Sequence, residues 1–156
     1  MPRSLAPAPL LAVLLAALAA CSPTLDWREL RAEPAELQVM LPCKPDKGAR
    51  RVPLAGPEVE LQVLGCEAGG ATFAVLQADV GDPVRAAQAL VQWNQATLAN
   101  LKAGSPRATH FVPTGALDLP GSQRVAAEGR RPDGSTVQGE AAYFARGTRV
   151  FQAVVY

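Results

Sequence analysis

The sequence predicts an α+β domain over residues 36–156: a mainly antiparallel β-sheet with one long amphipathic helix packed on one face. Three observations carry that expectation. From Glu36 to Ala78, apolar and polar residues alternate with period two in runs broken by Pro- and Gly-containing turns. After Asp82-Pro83 the apolar spacing switches to that of a helix. From Gln123 onward, period two returns in three runs separated by turns with Gly. A single helix between two sets of strands is the pattern of an α+β chain, not of repeating βα units.

The elements follow in order. Glu36 to Leu41 puts Leu37, Val39 and Leu41 on one face. The polar stretch Lys44-Pro45-Asp46-Lys47-Gly48 reads as a turn, and Arg50 to Leu54 as a short strand ending at Ala55-Gly56-Pro57. Glu58 to Val63 is the cleanest alternation, with Val59, Leu61 and Val63 toward the core and Glu58, Glu60 and Gln62 toward water. Glu67-Ala68-Gly69-Gly70 then links to Thr72–Ala78, which is apolar on both faces and so reads as a central strand.

Asp82 suits an N-cap and Pro83 the first helical position. At about 100° per residue, Val84, Ala87, Leu90, Val91, Leu98 and Leu101 form one stripe with Trp93 at its edge. Arg85, Gln88, Gln92 and Gln95 lie opposite, and Gly104 with Pro106 marks the stop. Arg85 and Lys102 are the only bases of the polar face, so the helix is expected to pack on the sheet and not on a membrane. Ala108 to Leu119, broken by Pro113, fixes no element. Gln123–Arg131 and Thr136–Arg146 flank the hairpin turn Pro132-Asp133-Gly134, and Arg146-Gly147-Thr148 turns into a last strand, Arg149–Tyr156. Tyr143, Phe144, Phe151 and Trp27 are expected in the core, because aromatics make up only 5% of the chain and an Ala-rich core needs bulk.

The N-terminus is a different kind of segment. Arg3 precedes an uninterrupted apolar run of 11 residues, Leu10 to Ala20, which as a helix spans roughly 16 Å, about half of a bilayer core. That is the length of a signal-peptide core rather than of a membrane span. The run ends in Leu18-Ala19-Ala20-Cys21, which resembles the bacterial lipobox. The resemblance implies acylation of the Cys21 thiol, cleavage before it, and acylation of the new amine with palmitate or a similar chain. Ser22, where proteins retained at the inner membrane usually carry Asp, favours the periplasmic leaflet of the outer membrane. Two or three acyl chains amount to stable anchoring. Residues 1–20 are then a lipoprotein signal peptide, and 21–35 a lipidated N-terminus and tether. Within 21–35, Asp26 caps a helical turn Trp27–Arg31 ended by Pro34, or the segment is an irregular lead-in.

With Cys21 assigned to lipid, Cys43 and Cys66 remain in an oxidising compartment. Their spacing fits neither a C-x-x-C redox pair nor a zinc site. A structural disulfide is expected, contributing about 3 kcal/mol through loop closure; two separately buried thiols are the alternative.

Three stretches together resemble exported bacterial domains of unknown function with a PsbP/Mog1-like fold: Leu41-Pro42-Cys43-Lys44-Pro45, Gly69-Gly70-Ala71-Thr72-Phe73, and Gly129-Arg130-Arg131-Pro132-Asp133-Gly134 leading to Tyr143–Gln152. The resemblance implies an antiparallel sheet covered by helices and a partner- or ligand-binding role, and it carries over no catalytic residue. That fold type usually adds a helix after its last strand. This sequence continues as strand to Tyr156, so the sheet face bearing Glu58, Glu60 and Gln62 is expected to be wet.

The chain has 15 basic and 14 acidic side chains, a formal charge of +1, which gives no electrostatic footprint for nucleic acid. No phosphate loop, calcium loop or metal-ligand cluster stands in the sequence, so no cofactor and no metal is expected. Ser105, the single histidine His110 and Asp118 are the one imaginable nucleophile–base–orienter set, without a nucleophile-elbow motif to support it. Arg50, Arg51, Arg130, Arg131, Arg146 and Arg149 form a candidate basic patch, two of its three sites lying at hairpin ends, with solvated tips as the plainer reading. The reading therefore leans away from an enzyme. It points to a membrane-anchored envelope accessory or protein-interaction module; a small-ligand or lipid carrier using a helix–sheet pocket comes second, and a small hydrolase third.

Overall fold

A computed structural model describes residues 24–35 and 37–156; Cys21 and the predicted signal peptide lie outside them. The order is β1 (Arg28–Ala32), β2 (Leu37–Leu41), β3 (Asp46–Pro53), β4 (Glu58–Ala68), β5 (Ala71–Asp79), α1 (Pro83–Asn100), β6 (Arg107–His110), β7 (Gln123–Arg130), β8 (Thr136–Arg146) and β9 (Arg149–Val155). Strands β3 to β9 form one seven-stranded antiparallel sheet in the order β3-β4-β5-β9-β8-β7-β6. Two meanders, β3-β4-β5 and β7-β8-β9, meet where β5 pairs with β9, and β5 is thus an interior strand as expected. The α+β expectation, a mainly antiparallel sheet with one long helix on one face, holds.

Tight turns fall where glycine permits them. Ala68 pairs with Ala71 around Gly69 and Gly70, both at positive φ, and Arg146 pairs with Arg149 around Gly147 at φ 58°. Asp82 caps α1, its Oδ1 accepting from the Val84 N–H at 2.8 Å, with Pro83 in the first turn.

The helix lies on the face that carries Leu61, Ala78, Val125, Tyr143 and Val150, all buried. Its buried residues are Ala86, Ala89, Leu90 and Trp93, whereas Val84 is 80% and Val91 42% exposed. The buried stripe is therefore rotated about a quarter turn from the one predicted. Small Ala86 and Ala89 let the helix backbone approach the sheet, and the bulk of Trp93 is turned inward; Val84 is left at the solvent end. The helix also stops earlier than Gly104: Leu101 caps it and Lys102, at φ 46°, breaks the turn. This end is pinned to β7, with the Arg130 N–H donating to the Leu101 carbonyl at 2.8 Å. Only a glycine fits beneath it, because a Cβ on Gly129 would lie 2.3 Å from that carbonyl oxygen.

Two predicted elements in the N-terminal part are corrected. The Asp26-capped helical turn does not form; Arg28–Ala32 is strand β1, paired antiparallel with β2 from Arg28↔Leu41 to Ala32↔Leu37. A five-residue helix has too few hydrogen bonds to offset its nucleation. As a strand, Leu30 and Ala32 instead join Leu37, Val39 and Leu41 in one half-buried to buried row. Folded structure thus begins ahead of residue 36. The polar Lys44–Gly48 turn is likewise shorter than expected, since β3 starts at Asp46 and pairs with Gly65.

The β1–β2 hairpin lies against the sheet face opposite the helix. Trp27 meets Phe73 edge-on at 6.4 Å, the Gln77 amide donates to the Glu33 carbonyl at 2.8 Å, and the Cys43–Cys66 disulfide links the end of β2 to β4. The expected wet face is thus only partly so: Glu58 and Glu60 are exposed, while Gln62 is half-buried and accepts from Gln77 at 3.1 Å.

Candidate functional site

The helix does not seal its face of the sheet completely. Between the C-terminal half of α1 and strands β3, β4 and β5 lies a cleft of about 440 Å³. Two of its lining residues are the small Ala74 and Ala96, which leave space between helix and sheet. Leu54, Leu61, Leu76, Trp93 and Val154 form its apolar walls, and Arg50, Asn100 and Tyr156 stand around it. On its outer side the loop after β3 is clamped to the helix: the Ala55 N–H donates to Gln92 Oε1 at 2.7 Å, and Arg85 Nε donates to the Ala55 carbonyl at 3.1 Å.

The polar group within the cleft is Gln152 of β9, 3% exposed. Its Nε2 donates to Thr97 Oγ1 at 3.0 Å and to Tyr143 OH at 2.9 Å. Thr97 Oγ1 in turn donates to the Trp93 carbonyl at 3.0 Å. Both amide hydrogens of Gln152 are used within the protein. Burial pushes the Tyr143 hydroxyl up from its ordinary pKa, opposed by its hydrogen bonds to Thr97 and Gln152; burial and then the Tyr143 charge push Tyr156 up too. Both phenols are neutral near pH 7. The cleft thus has apolar walls interrupted by the neutral side chains of Gln92, Thr97, Asn100, Gln152 and Tyr156, with one cation, the exposed Arg50, among its lining residues. Its volume lies within the 300–1,000 Å³ range typical of small-molecule sites.

Sequence reasoning did not single out Gln152, Thr97 or Gln77. One signal was present. Gln77 and Gln152 each stand in a strand otherwise apolar on both faces, and each is buried, at 4% and 3% exposure.

Cys43 and Cys66 are disulfide-bonded. Cys21 lies outside the described residues. The six arginines do not form one surface. Arg130 and Arg131 sit at the β7–β8 hairpin, and Arg146 and Arg149 at the β8–β9 hairpin. These are opposite ends of an 11-residue strand, about 33 Å apart. Arg50 and Arg51 lie on edge strand β3, where alternation sends them to opposite faces. Arg51 pairs with Glu58 at 3.4 Å and Arg149 with Asp79 at 3.5 Å.

His110 Nε2 lies 3.2 Å from Asp118 Oδ1, both largely exposed. Ser105 lines a separate, polar trough on the face away from the helix, together with Arg107, Glu128, Gln138 and Glu140. His110 is at the far end of β6, opposite Gln123, so the three groups are not assembled. Among the described residues no cluster of three metal-ligating side chains occurs. The expected core holds for Tyr143, Phe144 and Phe151, the last two stacked at 5.1 Å, but not for Trp27, which is 54% exposed.

Compared with models of protein families, with curated proteins and with solved structures, the chain matches none.

Proposed function

We propose that the chain is an outer-membrane-anchored periplasmic lipoprotein, a non-enzymatic envelope module of PsbP/Mog1-like architecture that binds a small, largely apolar ligand in the helix–sheet cleft. The anchor rests on Leu18-Ala19-Ala20-Cys21 behind its 11-residue apolar run. The architecture is supported by a long helix over one face of an antiparallel sheet, with a disulfide-linked hairpin in place of a second helical layer. The observation that carries the ligand is the 440 Å³ apolar cleft with Gln152 at its floor. Neutral polar side chains among apolar walls favour an occupant with a hydroxyl or amide group on a hydrocarbon body, and the exposed Arg50 favours an acidic group beside it.

Native mass spectrometry of the full lipoprotein, extracted gently from membranes, tests this. A reproducible small-molecule adduct is expected on the wild type and not on Ala96→Trp, which fills the slot from an exposed helix position. Its absence from both, or its persistence in Ala96→Trp, would count against the cleft. Metabolic labelling with a clickable fatty acid tests the anchor, with label expected on the wild type and not on Cys21→Ala.

A second reading, interaction with an envelope protein, is favoured by edge strand β6, all four of whose residues are exposed. Such an edge accepts a strand from a partner. Crosslinking and pulldown should then recover one defined partner above an unrelated lipoprotein control.

A further inference from the structure

The apolar surface that most departs from expectation lies on the hairpin side, next to where the chain enters the structure. Leu25 is 42%, Trp27 54% and Met40 51% exposed, an unusual concentration in a chain with two tryptophans. They are held in place: the Asp26 N–H donates to the Pro42 carbonyl at 2.7 Å, and Trp27 rests on the edge of Phe73. Beside Trp27 and Met40 a shallow, mainly apolar groove of about 280 Å³ runs toward β8–β9, taking in Phe73, Ala153 and the Arg124–Glu140 ion pair.

What covers this face follows from the chain outside the structure. Cys21 is three residues before Thr24 and six before Trp27, a reach of at most about 20 Å when fully extended. Any lipid on Cys21 therefore brings a bilayer within that distance of the exposed ring. Trp is the side chain best suited to the membrane–water boundary, with an apolar body and one N–H donor. The surrounding charge is balanced: Arg28 pairs with Asp26, and Glu29 and Arg31 lie on the outward side of β1.

We infer that the Leu25–Trp27–Met40 face seats on the lipid bilayer, fixing the orientation of the domain instead of leaving it free on its tether. The inference rests on the lipoprotein reading of Cys21. Because the seat is apolar and locally neutral, it requires neither anionic lipid nor low salt. Seating leaves the helix–sheet cleft clear, since α1 covers the opposite face.

The experiment compares full acylated protein, its acyl mass confirmed, with its Trp27→Phe variant in phosphatidylcholine vesicles carrying brominated acyl chains. Trp93 is 9% exposed and supplies the remaining signal in both. The expected result is that the Trp27 component, taken as wild type minus variant, loses about half its emission to bromine, consistent with a ring at the headgroup–acyl boundary. That loss is expected to be equal at low and at high salt. Acylated protein whose Trp27 escapes bromine and stays quenchable by iodide would overturn the seat while leaving the anchor intact. Absence of acyl mass on Cys21 would remove the anchor and the seat together. A Trp27 already shielded from iodide in a dimer before vesicles are added would assign this face to a second copy, and would also overturn it.

Discussion

The two faces of the sheet are covered by different physics. On one, an 18-residue helix buries Ala86, Ala89, Leu90 and Trp93 against an apolar layer. The buried polar groups of the sheet there are tied to the helix through Gln152, which donates to Thr97 and Tyr143. On the other, a hairpin of two five-residue strands is held by one disulfide, one aromatic edge contact and the Gln77 amide. An isolated two-stranded hairpin is at best marginally stable in water. The difference teaches that the helix side is fixed by area removed from water, whereas the hairpin side needs a covalent link to keep a small element in place.

Three variants, in order of decreasing effect, probe that difference. Leu90→Ala, at a fully buried position, is expected to lower global stability by about 2–5 kcal/mol, seen as a drop in the denaturant midpoint for all probes together. Loss confined to one part of the molecule would break the idea of a single helix-side core. Replacing Cys43 and Cys66 together by Ser is expected to cost about 3 kcal/mol. Here hydrogen exchange should quicken first in β1 and β2, with β5 and β9 still protected; uniform quickening would show that the bridge braces the whole sheet. Gln77→Leu is expected to change stability by no more than about 1 kcal/mol. It loses donors to Glu33 and Gln62 but also removes Oε1, a buried acceptor with no partner among the described residues. A loss of several kcal/mol would mean that this amide, not the disulfide, fixes the hairpin.

Much of the helix-side fold was legible because its signals are local. Asp82-Pro83 announces a helix start, the Gly69-Gly70, Gly134 and Gly147 turns announce hairpins, and period two announces strands. The rotation of α1 was not legible, since apolar spacing alone weighs Val84 and Val91 like Ala86 and Ala89. Only the approach of helix to sheet, which small residues allow, decides between them. Strand β1 was missed for a related reason: Arg28–Ala32 has a capping pattern of its own, and its strand form depends on pairing with β2 and docking on Phe73. The cleft was named in advance only as a gap between helix and sheet. Its floor, Gln152, was hidden because one polar residue in an apolar strand shows neither its burial nor its partners. The separation of the arginines follows from connectivity, since successive hairpins in a meander lie at alternate ends.

The junction of the two meanders has a consequence in time. Phe73 pairs with Val155, and Asp79 with Arg149, so the middle of the sheet joins segments about 70 to 80 residues apart. While a chain is threaded through a membrane N-terminus first, β3-β4-β5 reaches the far side long before β9. Until β9 arrives, β5 is an open edge and the apolar face of α1 has half a sheet to cover. Contacts so distant in sequence also close slowly. The wiring therefore delays completion of the core until the C-terminal strand is in place; under the proposed export, that means until nearly the whole domain has crossed.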